Sequence, residues 1–308
     1  MPDPIGRRPA GPASQLVTGG LDGLAGLGPG LGRLFFVVGA FDGLHRGHSY
    51  LLARLREQAA LHRARPAVIT FDHHPDEILV GAAPPVLCDP LERLVRFGHA
   101  GVDVVLIQHF DTRLRMTPYT EFVGRIAGQV DLAGFLMTPD AAFGHERGGT
   151  PAALAEMGRA RGFDVSVVEP LSINGRPVRS TEIRTDIAAG RLDPARRLLG
   201  RSVAIVGSVE RPEEAHRRAP RAAWDRAALD PVQVPLAVSF DLPVALPPAG
   251  RYRAAVEAAW APDQPRTASP VPALAEVFAD GAVRLEFTGR REPPPVDRLR
   301  IRIIGPTA

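Results

Sequence analysis

The hydrophobic positions change their period part-way along the chain. Between residues 33 and 168, short aromatic or β-branched runs alternate with segments whose apolar residues recur every three or four positions. The runs at 34–38, 67–71, 103–107, 135–137 and 163–168 read as strands. The segment 49–64 places Leu51, Leu52, Leu55 and Ala59 on one face with Arg54, Arg56 and Glu57 between them, an amphipathic helix packed on a sheet. A second helix opens at Asp89-Pro90-Leu91-Glu92, with an N-cap acid, a proline at the first helical position and a glutamate placed to bond back, and stops near Gly98. Thr117-Pro118 starts a third, running to Ala127; Thr150-Pro151 starts a fourth, which Gly162 ends. Strand and helix in alternation predict an α/β fold, an open, doubly wound parallel sheet with helices on both faces.

Asn174-Gly175 marks a tight turn. One helix is expected from Arg179 to about Gly190 and another from Asp193-Pro194 to Gly200. After Arg201 the period falls to two. Tyr252, Ala254, Val256 and Ala258 alternate with other residues, Asp280-Gly281 separates two strand-like runs as in a hairpin, and Leu299, Ile301 and Ile303 alternate with arginines. This half reads as β-rich, a small barrel or sandwich, interrupted by long loops at 211–231 and 260–272. The domain boundary is placed near Gly200. Residues 1–32 are dense in Pro and Gly and show no charged start followed by an apolar run, so they are expected to form a flexible arm and not a signal peptide.

Composition narrows the function classes. Of 308 residues, 45% are hydrophobic and 23% charged, as in a globular protein with ample residues for a core. A single cysteine, Cys88, excludes an internal disulfide framework and a cysteine-rich zinc site, and fits a reducing cytoplasm. Every basic residue is arginine. The absence of lysine removes P-loop and Schiff-base chemistry. The pI near 9.7 reflects this arginine content; no basic run is interleaved with aromatics, so neither nucleic acid nor membrane is indicated as a partner.

The chemistry concentrates in Gly39-Ala40-Phe41-Asp42-Gly43-Leu44-His45-Arg46-Gly47-His48, between the first strand of the alternation and its helix. Glycines at 39, 43 and 47 allow close backbone approach, a helix start offers N–H groups and a positive dipole end, and two imidazoles stand three apart. With His48 in the first helical turn, both rings can face one anion and donate to oxygens whose charge grows when a nucleophile attacks an α-phosphorus. No third ligand of suitable type accompanies the pair, so no metal site is expected there. Ser180, Thr181 and Arg184 form a second anion-binding set at a helix start, with an ordinary Ser/Thr cap and a solvated arginine as the alternative.

These residues resemble the nucleotidylyltransferases with an H-x-G-H turn and a late S-T-x-I-R helix, and more closely the prokaryotic FAD synthetases, which combine riboflavin kinase and FMN adenylyltransferase. The matching pieces are G-A-F-D-G-L-H-R-G-H at 39–48, T-F-D-H-H-P at 70–75, A-F-G at 142–144 and R-S-T-E-I-R at 179–184. The resemblance implies a Rossmann-like adenylyltransferase domain over 33–200, with ATP, its Mg²⁺ and FMN as substrates and FAD as product. By that analogy His45 and His48 are catalytic. Gly39, Ala40, Phe41, Asp42 and Gly47, with Ser180, Thr181 and Arg184, bind ATP, while Phe71, His74, Pro75, Asp140 and Phe143 line the flavin side. The chain departs from the family pattern at Ala40, where Asn is usual, at Asp72-His73, where Glu-Pro is usual, and at Thr138-Pro139-Asp140-Ala141. The Gly-x-Pro-Thr-Ala-Asn loop of the kinase barrel is missing after Ser202. A degenerate kinase-like barrel-type domain over 201–308, without kinase activity, is therefore expected, and Glu276 and Glu286 read as solvated strand residues. Transfer to another phosphorylated acceptor, and a non-catalytic flavin- or nucleotide-binding regulator, are the alternatives.

Overall fold

A computed structural model describes residues 15–17, 20–27, 32–210, 236–260, 269–287, 294 and 296–307. The expected loop at 211–231 and most of that at 260–272 lie outside the described residues. The chain divides into two compact units: residues 1–84 with 93–178, and residues 85–92 with 179–308.

The first unit is built on a parallel sheet of six strands, β1 (Gln15–Val17), β2 (Arg33–Val38), β3 (Arg65–Phe71), β4 (Val104–Gln108), β5 (Asp131–Met137) and β6 (Asp164–Val167), in the order β1-β4-β3-β2-β5-β6. The chain moves outward from β2 through β3 to β4, then crosses back to β5 on the other side. The crevice at the carboxyl end of β2 is thus a topological switch point. Strand β2 is buried along both faces because helices cover both. Phe35 and Val37 pack with Leu52, Leu55 and Ala59 of α1 (Arg46–Leu61) and Phe97 of α3 (Pro90–His99). Leu34 and Phe36 face the opposite core, with Leu114 of α4 (Thr112–Met116), Phe122 and Ile126 of α5 (Tyr119–Ala127) and Leu154 of α6 (Pro151–Arg161).

Local chemistry explains most boundaries. Thr150 accepts from the Ala153 amide at the start of α6, and Gly162 ends the helix with φ of 81°. Asn174 and Gly175, both at positive φ, turn the hairpin between β7 (Ser172–Ile173) and β8 (Arg176–Pro177). Helix α4 and the one-and-a-half-turn α2 (Pro75–Leu79) are too short to show a period, and the sequence pattern does not mark them.

The described part of the segment expected to be a flexible arm contributes to the core. Strand β1 adds to the edge of β4 in parallel, and residues 20–27 wind into 3₁₀ turns that bury Leu21 and Leu24. The Gln108 side chain accepts from the Leu21 amide at 2.8 Å. A three-residue strand and a glycine-rich 3₁₀ segment carry no periodic signature, which is why the Pro and Gly density reads as a flexible arm.

The second unit holds helices α7 (Ser180–Ala188) and α8 (Leu192–Leu199) and a closed antiparallel barrel. Its strands are β9 (Val203–Val209), β10 (Leu236–Ser239), β11 (Gly250–Ala258), β12 (Val271–Val277), β13 (Val283–Phe287) and β14 (Arg298–Pro306), in the order β10-β13-β12-β11-β14-β9. Asp280-Gly281 turns β12 into β13, with the Asp280 side chain accepting from the Ala282 amide. Glu92 does not close a capping box. The α3 cap is made by Asp89, and Glu92 is instead buried in a bidentate pair with Arg300, which also reaches Glu257 at 2.8 Å and lies 4.4 Å over the Trp260 ring. Burial pulls the Arg300 pKa down, but the two carboxylates outweigh it and the guanidinium is held above its ordinary value. Glu286 pairs with Arg251 at the surface. Among the described residues no helix is long and apolar enough to cross a membrane.

Candidate active site

The turn after β2 is held in an uncommon backbone conformation. Phe41 and Leu44, as well as Gly43, have positive φ, a strained arrangement for two side-chain-bearing residues of the kind that clusters at functional sites. The strain is held by burial on the side of α1 and α3, where Phe41 meets the Phe97 ring edge-on at 5.3 Å and Leu44 joins the same core.

Helix α1 begins at Arg46, three residues earlier than the apolar pattern indicates, because His45 supplies the cap. Its Nδ1 accepts from the His48 backbone N–H at 3.2 Å, and its carbonyl accepts from the Ser49 amide. A ring nitrogen that accepts carries no proton, so the neutral His45 imidazole holds its proton on Nε2. His45 is buried at 3% exposure. The His48 ring stacks on it with centroids 3.7 Å apart and planes at 14°, and Phe41 leans on the His48 ring at 5.1 Å. The i, i+3 spacing therefore does two things: it lets one histidine cap the turn that carries the other, and it brings the rings into register.

Gly47 has a packing reason. A Cβ there would lie 2.8 Å from the Val178 carbonyl oxygen and 3.1 Å from the His45 ring, closer than a side chain tolerates. Of the two residues between the histidines, position 47 is a glycine because backbone and imidazole both press on it.

Two residues to which sequence reasoning gave no role, Thr70 of the T-F-D-H-H-P motif and Arg93, hold the turn from outside. The Ala40 carbonyl accepts from Thr70 Oγ1 at 3.2 Å and from Arg93 Nη1 at 2.9 Å, while Arg93 Nη2 reaches the Phe71 carbonyl at 2.7 Å. Arg93 thus ties the turn after β2 to the end of β3, although it stands 53 residues from Ala40. No local signal distinguishes it from the other arginines of an amphipathic helix.

The residues expected on the flavin side fall into two groups. Phe71 ends β3 and meets Phe110 edge-on; His74 caps α2 through Nδ1, which accepts from the Asp76 amide, and Pro75 is the first residue of that helix. Asp140 is exposed in the loop after β5, where Oδ1 accepts from Thr138 at 2.8 Å. Phe143 packs with Phe122 and Phe135 at 5.3 and 5.8 Å, so part of its ring is committed to the core. Asp72, next to Phe71, meets His109 Nδ1 at 2.7 Å. Partial burial acts to raise the Asp72 pKa, but hydrogen bonds from His109 and from the Phe110 and His73 amides outweigh it and hold it below its ordinary value, while Asp72 in turn raises His109.

Ser180, Thr181 and Arg184 sit together on the first turns of α7 in the second unit. The cap position is Arg179, not Ser180 or Thr181, and it makes no side-chain cap bond; Arg184 Nε donates to the Pro85 carbonyl at 2.8 Å.

Comparison with known proteins bears on this arrangement directly. The FAD synthetase family model matches residues 31–182, which contain the strained turn, both histidines and the start of α7. Residues 31–182 are similar to the FAD synthetase family. The chain is 37% identical over 175 residues to the bifunctional riboflavin kinase/FMN adenylyltransferase of Pseudomonas fluorescens, covering 56% of each, and 32% identical over 182 residues to that of Escherichia coli K12, covering 58% of each. It therefore spans little more than half the length of these relatives. A solved structure titled as a macrolide-efflux protein from Streptococcus pneumoniae superposes with a TM-score of 0.71 at 17% identity, covering 96% of this chain and 90% of that one. At that identity the likeness is one of fold.

Proposed function

We propose that the chain is an FMN adenylyltransferase: it transfers the adenylyl group of ATP to FMN, giving FAD and pyrophosphate. The observation that carries the reading is the stacked His45–His48 pair at the mouth of α1, beyond the carboxyl end of β2, where a doubly wound sheet receives a nucleotide. The relatives' names, which join FMN adenylyltransferase to riboflavin kinase, support the choice of acceptor.

In the proposed reaction a phosphate oxygen of FMN attacks the α-phosphorus of ATP in line. A new P–O bond forms as the bond from the α-phosphorus to the oxygen bridging it to the β-phosphate breaks, and that oxygen leaves with pyrophosphate. No covalent enzyme intermediate is needed. His45, with its proton on Nε2, and the ring stacked upon it supply N–H donors to the non-bridging oxygens as their charge grows. The dipole end of α1 adds to this field. Gly39, Ala40, Phe41, Asp42 and Gly47 shape the nucleotide cradle. Mg²⁺ would arrive with the triphosphate. The buried Asp42 is a hard oxygen donor of the type that ion accepts alongside phosphate and water, so the turn's chemistry fits it. Assignment of Ser180, Thr181 and Arg184 to the triphosphate, and of Phe71, His74, Pro75, Asp140 and Phe143 to the flavin, rests on the family resemblance. Loss of riboflavin kinase activity belongs to the same proposal and rests on the missing kinase loop.

The test is direct. Purified protein incubated with FMN, ATP and Mg²⁺ is expected to form FAD and pyrophosphate, with riboflavin left unphosphorylated. His48→Ala is expected to abolish FAD formation while the protein still folds. Turnover of a different phosphorylated acceptor in place of FMN would reassign the substrate, and nucleotide binding without any turnover would make the protein a binding module.

A further inference from the structure

The registered pairing of β3 with β4 places Phe71 opposite Gln108, so the residues that follow, Asp72-His73 and His109, leave the sheet side by side although 37 positions separate Asp72 from His109. A nitrogen of each imidazole and a carboxylate oxygen of Asp72 all lie within 4.8 Å of one another. Asp72 is aimed: Oδ1 accepts from the His73 and Phe110 amides at 2.7 and 3.2 Å, which turns Oδ2 toward His109 at 2.7 Å. His73 is aimed as well. Its Nδ1 meets Glu77 Oε2 at 3.2 Å, and its ring stands at 83° to that of His109 with centroids 5.6 Å apart.

We propose that Asp72, His73 and His109 form a binding site for a divalent transition-metal ion of the zinc type, with Glu77 beside it. Two imidazoles and one carboxylate are the donors that zinc, nickel, copper and cobalt prefer; magnesium and calcium select oxygen-only sets. Ligands about 2.0–2.1 Å from such an ion sit about 3.4 Å from each other in a tetrahedron, so no pair of these donor atoms, all within 4.8 Å of one another, need close by more than about 1.4 Å on binding, and their exposure leaves them the freedom to adjust. The carboxylates already paired with the rings can serve either as ligands or as the partners that orient imidazoles on a metal. Water completes the coordination. Chain adjacency to Asp72 and the pair with Glu77 bring His73 beside the Asp72–His109 ion pair, so the three donors converge without any metal and the titration decides whether they bind one. Bound metal would clamp the loop that leads into α2 against the end of β4. The site adjoins Phe71, His74 and Pro75, assigned above to the flavin, but its test reads metal binding and not activity, so its failure is distinguishable from failure of the adenylyl-transfer reading.

The experiment is a cobalt titration of the full chain, free of any affinity tag and stripped with chelator, followed by visible absorption and by isothermal calorimetry with zinc as competitor. One equivalent is expected to bind with the d–d bands of a nitrogen-oxygen site, each of His73→Ala and His109→Ala to weaken binding by at least about tenfold, and the double variant to abolish it. Equal uptake by wild type and a folded double variant, or no uptake by wild type, overturns the proposal and leaves an ion pair. Should the double variant fail to fold, cobalt-induced shifts of the imidazole resonances in the wild-type protein decide: shifts at His73 and His109 support the site, and their absence refutes it.

Discussion

His45 has two separable tasks, and substitution can divide them. As the cap of α1 its Nδ1 satisfies the His48 amide; as a proton-bearing ring in the stacked pair it is proposed to donate to the transferring phosphoryl group. His45→Ala removes both. Loss of the cap costs about 1 kcal/mol, which in a protein of this size lowers Tm by about 2–4 °C. Loss of one transition-state donor costs about 3 kcal/mol, or 100-fold or more in kcat/KM. His45→Asn keeps a side-chain acceptor at the cap and removes the imidazole. The asparagine variant is therefore expected to recover most of the melting temperature while its rate of FAD formation stays as low as that of the alanine variant. Calorimetric melting beside a continuous pyrophosphate-release assay reads both quantities. An asparagine variant with wild-type kcat/KM would refute the assigned chemistry, and alanine and asparagine variants that melt alike would refute the capping argument.

Arg93→Met deletes two hydrogen bonds that tie the Ala40 and Phe71 carbonyls, and charged hydrogen bonds of this kind contribute about 1.5–3 kcal/mol each in the interior. Loss of about tenfold or more in kcat/KM with coupling to Thr70→Val in a double-mutant cycle is expected; strict additivity would show that the two donors do not act on one carbonyl. Arg300→Met leaves Glu92 and Glu257 buried without their cation and is expected to destabilise the barrel unit by about 3–5 kcal/mol in denaturant melts, whereas replacing all three with apolar residues recovers most of that loss. Leu24→Ala, in the segment whose composition suggested an arm, is expected to cost about 2–5 kcal/mol, as for a core leucine; a neutral result would return those residues to the surface.

The pattern of apolar positions was sufficient for the elements whose cause is local. The strands at 33–38, 65–71 and 104–108 are buried on both faces and read as continuous apolar runs. Proline, threonine and glycine punctuate α6 because caps are made within a few residues, and the Asp280-Gly281 hairpin announces itself for the same reason. The turn at 39–48 was legible because the i, i+3 histidines and the Gly47 between them are packed on one another within a single helical turn. What required the folded chain are the contacts whose partners are remote in sequence. Arg93 reaching Ala40, Glu92 turning from a helix cap to Arg300, Leu21 and Leu24 entering the core, and Asp72 meeting His109 each depend on which strands the sheet or barrel places side by side. The sequence by itself determined the alternating α/β half, the β-rich half and the capped histidine turn at 39–48, since periodicity and capping act over one or two turns of chain. Strand order and packing alone decided which arginine, which glutamate and which histidine acquired a partner, because those choices are made by neighbours in space.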